Sequence, residues 1–483
     1  MRRAQYTTKP FGTGRAVRAA RLSRCHTSAM PIRAAASASA GFQGCDQPLE
    51  QRIKVVGMGS CGVDYLASVA AYPRPDEKLR TEKLETQGGG NCANALTAAA
   101  RLGLAPTLVT KIGGDGLGDG ILSELRADGI NTTHVLRAEG HPSPFTYIIV
   151  DRQGGTRTCI HTPGAPLEPC EMDAARLAAV LEGAALVYFD GRLTEAAVLL
   201  AREARARGIP VLVEAERLRP SLEALLAEAD FVVTSAHFPQ DWTGEAGLAD
   251  AVLATAERLL GARWVITTMG TRGAVLLERP PPGGTDPRVT VTRERTLDEL
   301  LTAELGPRLQ EEAATAAAPP PTACVSASGV RIGAGQVAAT EDFVRLLYTS
   351  GRDPAQAARQ AQAAAQRAAV LNADAGRADI YRGSGAPAAA DTAVAATEAP
   401  PGLVARVTLA SIADLPKDAV VDTTGAGDSF IGSVLYGIVT GLPLAATLRL
   451  AAVVAACKCT RLGARPGLPT RSQLARELLR ATA

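Results

Sequence analysis

The chain has 483 residues, 46% hydrophobic and 4% aromatic, enough for a large buried core and longer than one typical domain. Its 51 basic and 49 acidic residues nearly cancel, leaving a net charge of +2, which excludes the strongly basic profile of a nucleic-acid-binding protein. No uninterrupted apolar run reaches the roughly 20 residues of a membrane span, and nine cysteines without framework spacing exclude a disulfide-stapled scaffold.

Residues 1–45 hold eight Arg or Lys and no Asp or Glu, among many Ser, Thr and Ala. That composition predicts a transit peptide over 1–50, disordered, with cleavage between Arg33 and Gln51. Apolar β-rich runs then recur: IKVVGMG (53–59), TLVTKIG (107–113), ALVYFD (185–190), PVLVEA (210–215), FVVTS (231–235) and WVITTMG (264–270). Helical stretches such as Glu195–Arg207 and Leu248–Leu260 separate them. Alternating strands and helices predict an α/β fold, a mainly parallel sheet covered on both faces. Its site should lie at the strands' carboxyl ends, where Asp64, Asp190, Glu214 and Thr268 are expected. Two extended runs within 143–164, joined by Asp151-Arg152-Gln153-Gly154-Gly155, predict a separate hairpin.

Two glycine-rich elements carry the chemistry. In QGGGNCANALTAAARLG (87–103), Gly88-Gly89-Gly90 make a tight turn before a helix that opens on Asn91 and Asn94. Amides there suit a polyhydroxylated ligand. In VDTTGAGDSFIGSVLYG (421–437), Gly425-Ala426-Gly427-Asp428 follows an extended run and opens an apolar helix. A helix N-terminus attracts an anion, and Asp428 stands beside it as a potential general base. GxGD alone is equally compatible with a glycine turn in which Asp428 caps the helix. Between these elements lies 279–402, rich in Pro and Ala, including AATAAAPPPTA (313–323). It is expected to be mostly disordered, with a helix over Glu341–Leu371 as its one ordered part. The thiols of Cys457 and Cys459 are expected to be buried rather than paired around a metal, and dispersed histidines give no zinc pattern.

GGGNCANALTAAARLG and DTTGAGDSFIGS resemble the two signatures of the PfkB carbohydrate kinases, the ribokinase-like superfamily. The resemblance covers roughly 52–278 and 403–470. Further landmarks are similar: VVGMGSCGVDYLASV (55–69), KIGGDGLGDGILSELRADGI (111–130) and VITTMGTRGAVLL (265–277). AYPRPDEKLR, GGTRTCIHTPG, YFDGRLTEAA and KCTRLGARPG look closest to ketohexokinase-like, plastid-targeted members.

This resemblance implies a three-layer α/β/α sandwich, its kinase domain built from 51–278 and 403–475. A small β-sheet lid would come from about 67–87 and 143–164 and mediate a homodimer. It implies ATP-dependent phosphorylation of a sugar hydroxyl, with Mg²⁺. Asp428 would be the base, and Gly425, Ala426 and Gly427 would form the anion hole. Asp64, Asp76, Gly90, Asn91, Asn94, Arg157 and Arg192 would hold the substrate, with Asp190 near it. Thr268, Gly270, Gly273 and Thr424 would line the nucleotide side with Gly425 and Gly427. The Asn-x-x-Glu motif of many ribokinases is absent, the segment reading Ser235-Ala236-His237-Phe238-Pro239. No metal ligand is therefore assigned, although Glu214 or Glu216 is available to hold Mg²⁺ through water. The plastid is the expected location, ahead of the mitochondrion. A non-catalytic plastid subunit and a nucleoside kinase are the competing readings. Only Arg157 and Arg192 are expected as cations in the site.

Overall fold

The apolar runs pair into one sheet because alternate side chains find a core on each face. In strand β1 (Lys54–Met58), Val55 points into one core and Val56 into the other. In β8 (Ala184–Phe189), Leu186 and Tyr188 alternate with Val187 and Phe189 in the same way. Strands buried on both faces read as continuous hydrophobic runs. The structure, a computed structural model, describes residues 42, 44–154, 156–280, 294–315, 321–349 and 403–480.

Between β1 and β8 the chain makes β2 (Gly62–Val69), β3 (Lys83–Gly89), β4 (Ala105–Gly113), β5 (Asn131–Ala138), β6 (Phe145–Asp151) and β7 (Thr156–Thr162). It continues through β9 (Val211–Ala215), β10 (Phe231–Thr234), β11 (Trp264–Thr268) and β12 (Ala274–Glu278). The short β13 (Glu294–Thr296), β14 (Thr322–Val325), β15 (Arg331–Gly333), β16 (Val337–Ala339) and β17 (Val344–Leu347) follow, then β18 (Leu403–Ala410). The main sheet runs β13-β17-β18-β12-β11-β10-β9-β8-β1-β4-β5, with β16 also on β18. From β11 to β5 every neighbouring pair is parallel; β12 and β18 are antiparallel.

Helices Asn91–Arg101, Ala426–Thr440 and Leu444–Lys458 cover one face. Thr194–Ala206 and Leu248–Arg258 cover the other. This is the expected three-layer α/β sandwich. A separate four-stranded sheet, β3-β2-β6-β7, forms the lid. None of the helices among the described residues is long and apolar enough to cross a membrane.

Three expectations need correction. Asp64 is not at a main-sheet strand end: it lies inside β2, a lid strand paired with β3 and β6. Composition predicts a disordered transit peptide through residue 50, yet Gly44 pairs with Ala475 and the buried Cys45 donates its N–H to Leu474 O. Backbone hydrogen bonding to the C-terminal segment orders this stretch; residues 1–41 lie outside the described residues.

The third concerns 279–402. Within it, β16 and β17 extend the main sheet on β18, and Leu297, Leu300, Leu305, Val344 and Leu346 enter a core. Val344–Leu347 is a strand, not the start of a helix; the rest of the expected helix, beyond 349, lies outside the described residues. Edge strands of three or four residues need only one or two inward side chains, a pattern that Pro/Ala-rich surroundings mask.

Candidate active site

A cavity of about 760 Å³ opens elsewhere, but a larger one of about 940 Å³ lies between the lid and the carboxyl ends of the parallel strands. Its wall includes Asp64, Gly90, Asn91, Asn94, Arg157, Arg192, Thr268, Thr424, Gly425, Gly427 and Asp428. The structure thus brings together residues from both glycine-rich elements, more than 300 positions apart. The link is direct: Asn94 Nδ2 donates to Asp428 Oδ2 at 2.8 Å.

Asp428 sits in the first turn of helix Ala426–Thr440, which no side chain caps. Gly425 takes φ 74° there, left-handed backbone that glycine adopts without strain. The first-turn amides of Gly427 and Asp428 are left to an incoming anion. Burial pushes the Asp428 carboxyl up to about 7, against the Asn94 bond and nearby Arg192 and with nearby Glu216. Burial likewise raises Asp64 to about 6, opposed by Arg465 and a bond from Thr146. Burial and then the Asp428 charge hold Glu214 well above the usual carboxylate range, although Tyr188 Oη donates to it at 2.6 Å. Such a nest of raised carboxyls in one cleft is the electrostatic mark of an acid–base site.

The arginines are more numerous than expected. Arg217 and Arg219, after β9, line the cavity with Arg157 and Arg192. Arg157 Nη1 donates from the lid to Thr423 Oγ1 at 3.0 Å, tying the lid to the glycine loop. Arg192 Nη2 donates to Glu216 Oε2 at 2.9 Å, and Asn91 Nδ2 reaches the same oxygen at 3.4 Å. The ERLRP run places these cations at a parallel strand end, where they were legible.

Five expected residues lie outside the wall. Asp76 is exposed in the β2–β3 connection, outside the wall. Asp190 is buried and spends both oxygens on protein: Oδ2 accepts from Ser60 N at 2.7 Å and Cys92 N at 3.2 Å, and Oδ1 from Arg192 N at 3.1 Å. It fixes the strand end against the asparagine helix. Gly273 at φ 84° lets β12 approach β18, since a Cβ there would meet Ala410 O at 1.9 Å. Gly270 opens a short 3-10 turn beside it and is not in the wall. Ala426 N bonds Thr423 O, so this amide serves the turn.

The family model for pfkB family carbohydrate kinases matches residues 52–296 and 391–471. The chain belongs to this family. The ribokinase of Staphylococcus aureus (strain COL) is 26% identical over 232 residues, 46% of this chain and 74% of that protein. Mus musculus ribokinase is 27% identical over 255 residues, 51% and 77%. Deoxyribokinase of Salmonella typhi is 29% identical over 227 residues, 46% and 74%. The solved Arabidopsis thaliana ribokinase, complexed with ribose and ATP, superposes with a TM-score of 0.55 over 89% of this chain and all of that one, at 18% identity. The last likeness concerns the fold.

In this PfkB protein the glycine loop is braced from below. Lys458, with no exposed surface, donates to Asp422 O at 2.6 Å. Asp422 Oδ1 accepts from Thr424 N at 2.9 Å and Oδ2 from Gly463 N at 2.8 Å. Burial works to raise the Asp422 carboxyl, but Lys458 and these donors outweigh it and hold it below the usual range. Lys458→Met strands a buried carbonyl, which should cost about 1–3 kcal/mol. Urea unfolding should show a lower midpoint at unchanged slope; an unaltered midpoint would mean that the ammonium contributes nothing net.

Proposed function

We propose that the protein transfers the γ-phosphoryl group of ATP to a hydroxyl of a small sugar, a ketohexose or a related compound, with Asp428 as general base. The observation that carries this is the Asn94–Asp428 pair: a carboxyl near neutrality, at an uncapped helix N-terminus, touching the asparagine that opens the facing helix. An alcohol bound between Asp64, Gly90, Asn91 and Asn94 would hand its proton to Asp428 as it attacks. Amides around Gly425–Asp428 would receive the charge gathering on the phosphoryl oxygens. Arg157 and Arg217 neutralise it from the lid side and the strand end, Arg192 from the acceptor side. Thr268 and Thr424 face the nucleotide. Ribokinase and deoxyribokinase among the relatives support a sugar acceptor, and the lid motifs favour the ketohexokinase-like subtype.

Among the described residues no three or more His, Cys, Asp or Glu gather as a metal site. That fits Mg²⁺, which keeps several waters and is bound by one or two carboxylates plus substrate phosphates. Of the wall carboxyls Asp64, Glu214, Glu216 and Asp428, Glu216 and Glu214 would hold it, and bound Mg²⁺ would offset phosphate charge.

The lid's outer face supports a homodimer. Tyr147 and Ile160 pair across β6 and β7 and, with Leu84, are each more than half exposed. The composition of 1–45 supports import into a plastid. Phe145 and His161 are the aromatic rings among the residues lining the cavity, few for stacking a nucleoside base, and the intact Asp428 carboxyl held by Asn94 disfavours a non-catalytic subunit.

A coupled assay of ADP formation against ketoses, ribose, deoxyribose and nucleosides tests the reading. Turnover with a sugar is expected. ATP binding without transfer to any acceptor would return the chain to the scaffold reading.

A further inference from the structure

Arg465 is almost fully buried, 3% exposed, in the loop that follows helix Leu444–Lys458. Each nitrogen of its guanidinium has an acceptor. Nε donates to Asn94 Oδ1 at 2.9 Å, Nη1 to Glu124 Oε1 at 3.0 Å and Nη2 to Gly89 O at 3.2 Å. Glu124 Oε1 also accepts from Gly88 N at 3.2 Å. Gly88 is needed there, because a Cβ would meet Arg465 Nη1 at 2.0 Å. One arginine thus joins the lid strand β3, helix Gly116–Ala127 and the asparagine helix.

We propose that Arg465 is a positioning residue for phosphoryl transfer, fixing which end of the Asn94 amide faces Asp428. A guanidinium only donates, so it selects Oδ1 of Asn94. The NH₂ end is then turned to Asp428, where it donates at 2.8 Å. Released from Arg465, the amide can rotate and present its oxygen to the carboxyl. That arrangement repels the carboxylate and accepts from the protonated acid, so it disables the base at neutral pH. Other groups also act on Asp428: Glu214 from β9 and Glu216 just after it, Asp190 and Arg192 after β8, and Lys458 from the helix end. None of them touches Asn94 Oδ1, so the relay through Arg465 has its own signature.

The inference rests on the kinase reading, and the test separates the two. The full chain, wild type, Arg465→Met and Arg465→Lys, is assayed for ATP-dependent transfer to the best acceptor of the panel across pH 5.5–9. For Arg465→Met, kcat should fall about 10- to 100-fold near neutrality. The acidic limb of its kcat profile should move up by about one unit, as the favoured bond to the carboxylate is lost. Arg465→Lys keeps a charge and a donor but not the planar fork, and should fall between. KM for ATP should stay within about threefold, because the arginine does not line the cavity. Glu124→Gln, at a side chain 40% exposed, loosens Arg465 without emptying its site and should shift the limb in the same direction. It carries the test if both Arg465 variants fail to fold. A uniform loss at every pH, with the limb unmoved, would reduce Arg465 to packing and overturn the proposal, as would wild-type kcat in folded Arg465→Met. Wild type inactive with every acceptor would instead sink the kinase reading.

Discussion

Asp428→Ala should lower kcat by about 10³-fold, within the range that a positioned general base supplies, while ATP binding stays close to wild type. The carboxylate lies at the helix N-terminus but contributes no hydrogen-bond donor to the phosphates, so its removal leaves the anion-binding amides in place. The wild-type pH profile should carry the same signature. Burial holds Asp428 near 7, and only the ionised form accepts a proton. Turnover should therefore rise with pH through about 7 and level off above it. Stability should run the other way. A carboxyl raised in the folded state binds its proton more tightly than in the unfolded chain, so the native state loses stability as pH climbs from the unfolded value towards 7. Asp428→Asn removes that cost. Its Tm should exceed wild type at pH 8, with the gap closing towards pH 5. Full turnover in folded Asp428→Ala would take the base away from this residue.

Much of this site was legible because glycine and asparagine are costly where they have no task. GGGN at 88–91 and GAGD at 425–428 each combine a turn, a helix start and side chains able to meet a hydroxyl or a phosphate, and the cavity wall joins them. Six of the seven parallel strands were legible from apolar runs, because burial on both faces leaves no polar alternation to misread; the edge strand β5 is half exposed and carries no such run. What was missed depends on partners distant in sequence. Asp190 reads as a ligand at a strand end, yet its Oδ2 is taken by Ser60 and Cys92 and its Oδ1 by Arg192 N, and the first two contacts are ones that only the fold creates. Gly273 reads as part of a nucleotide turn, but its need for no side chain comes from β18, which lies across the insert. Arg465 stands in a loop that was recognised, but its target, Asn94, is 371 positions away. The short strands β13–β17 carry so few inward residues that pairing makes them strands rather than their own pattern: β16 and β17 pair on β18, β13 on β17, and β14 with β15.

Gly425→Ala should weaken catalysis through two routes that act at one atom. The residue sits at φ 74°, where an L-residue pays about 1–2 kcal/mol. The added Cβ would also lie 2.7 Å from Ala464 Cβ and 2.9 Å from its Cα. Neither contact is the end of a flexible side chain, so either the glycine loop or the 463–467 loop must move. Moving the first displaces the amides aimed at the phosphoryl group, and losing one such donor typically costs about 10²-fold in kcat. Moving the second displaces Arg465, next in chain to Ala464, and with it the Asn94 amide. Both routes predict a fall in kcat of at least about 10²-fold together with a lower Tm, and Asp428 remains in the chain throughout. Gly427→Ala is the internal contrast. No heavy atom lies within 4 Å of its would-be Cβ, so the fold should hold, and any loss should appear in nucleotide binding rather than Tm. Equal Tm and equal kcat in Gly425→Ala and wild type would mean that the loop tolerates the shift, and that the first-turn amides are not where the phosphoryl charge is received.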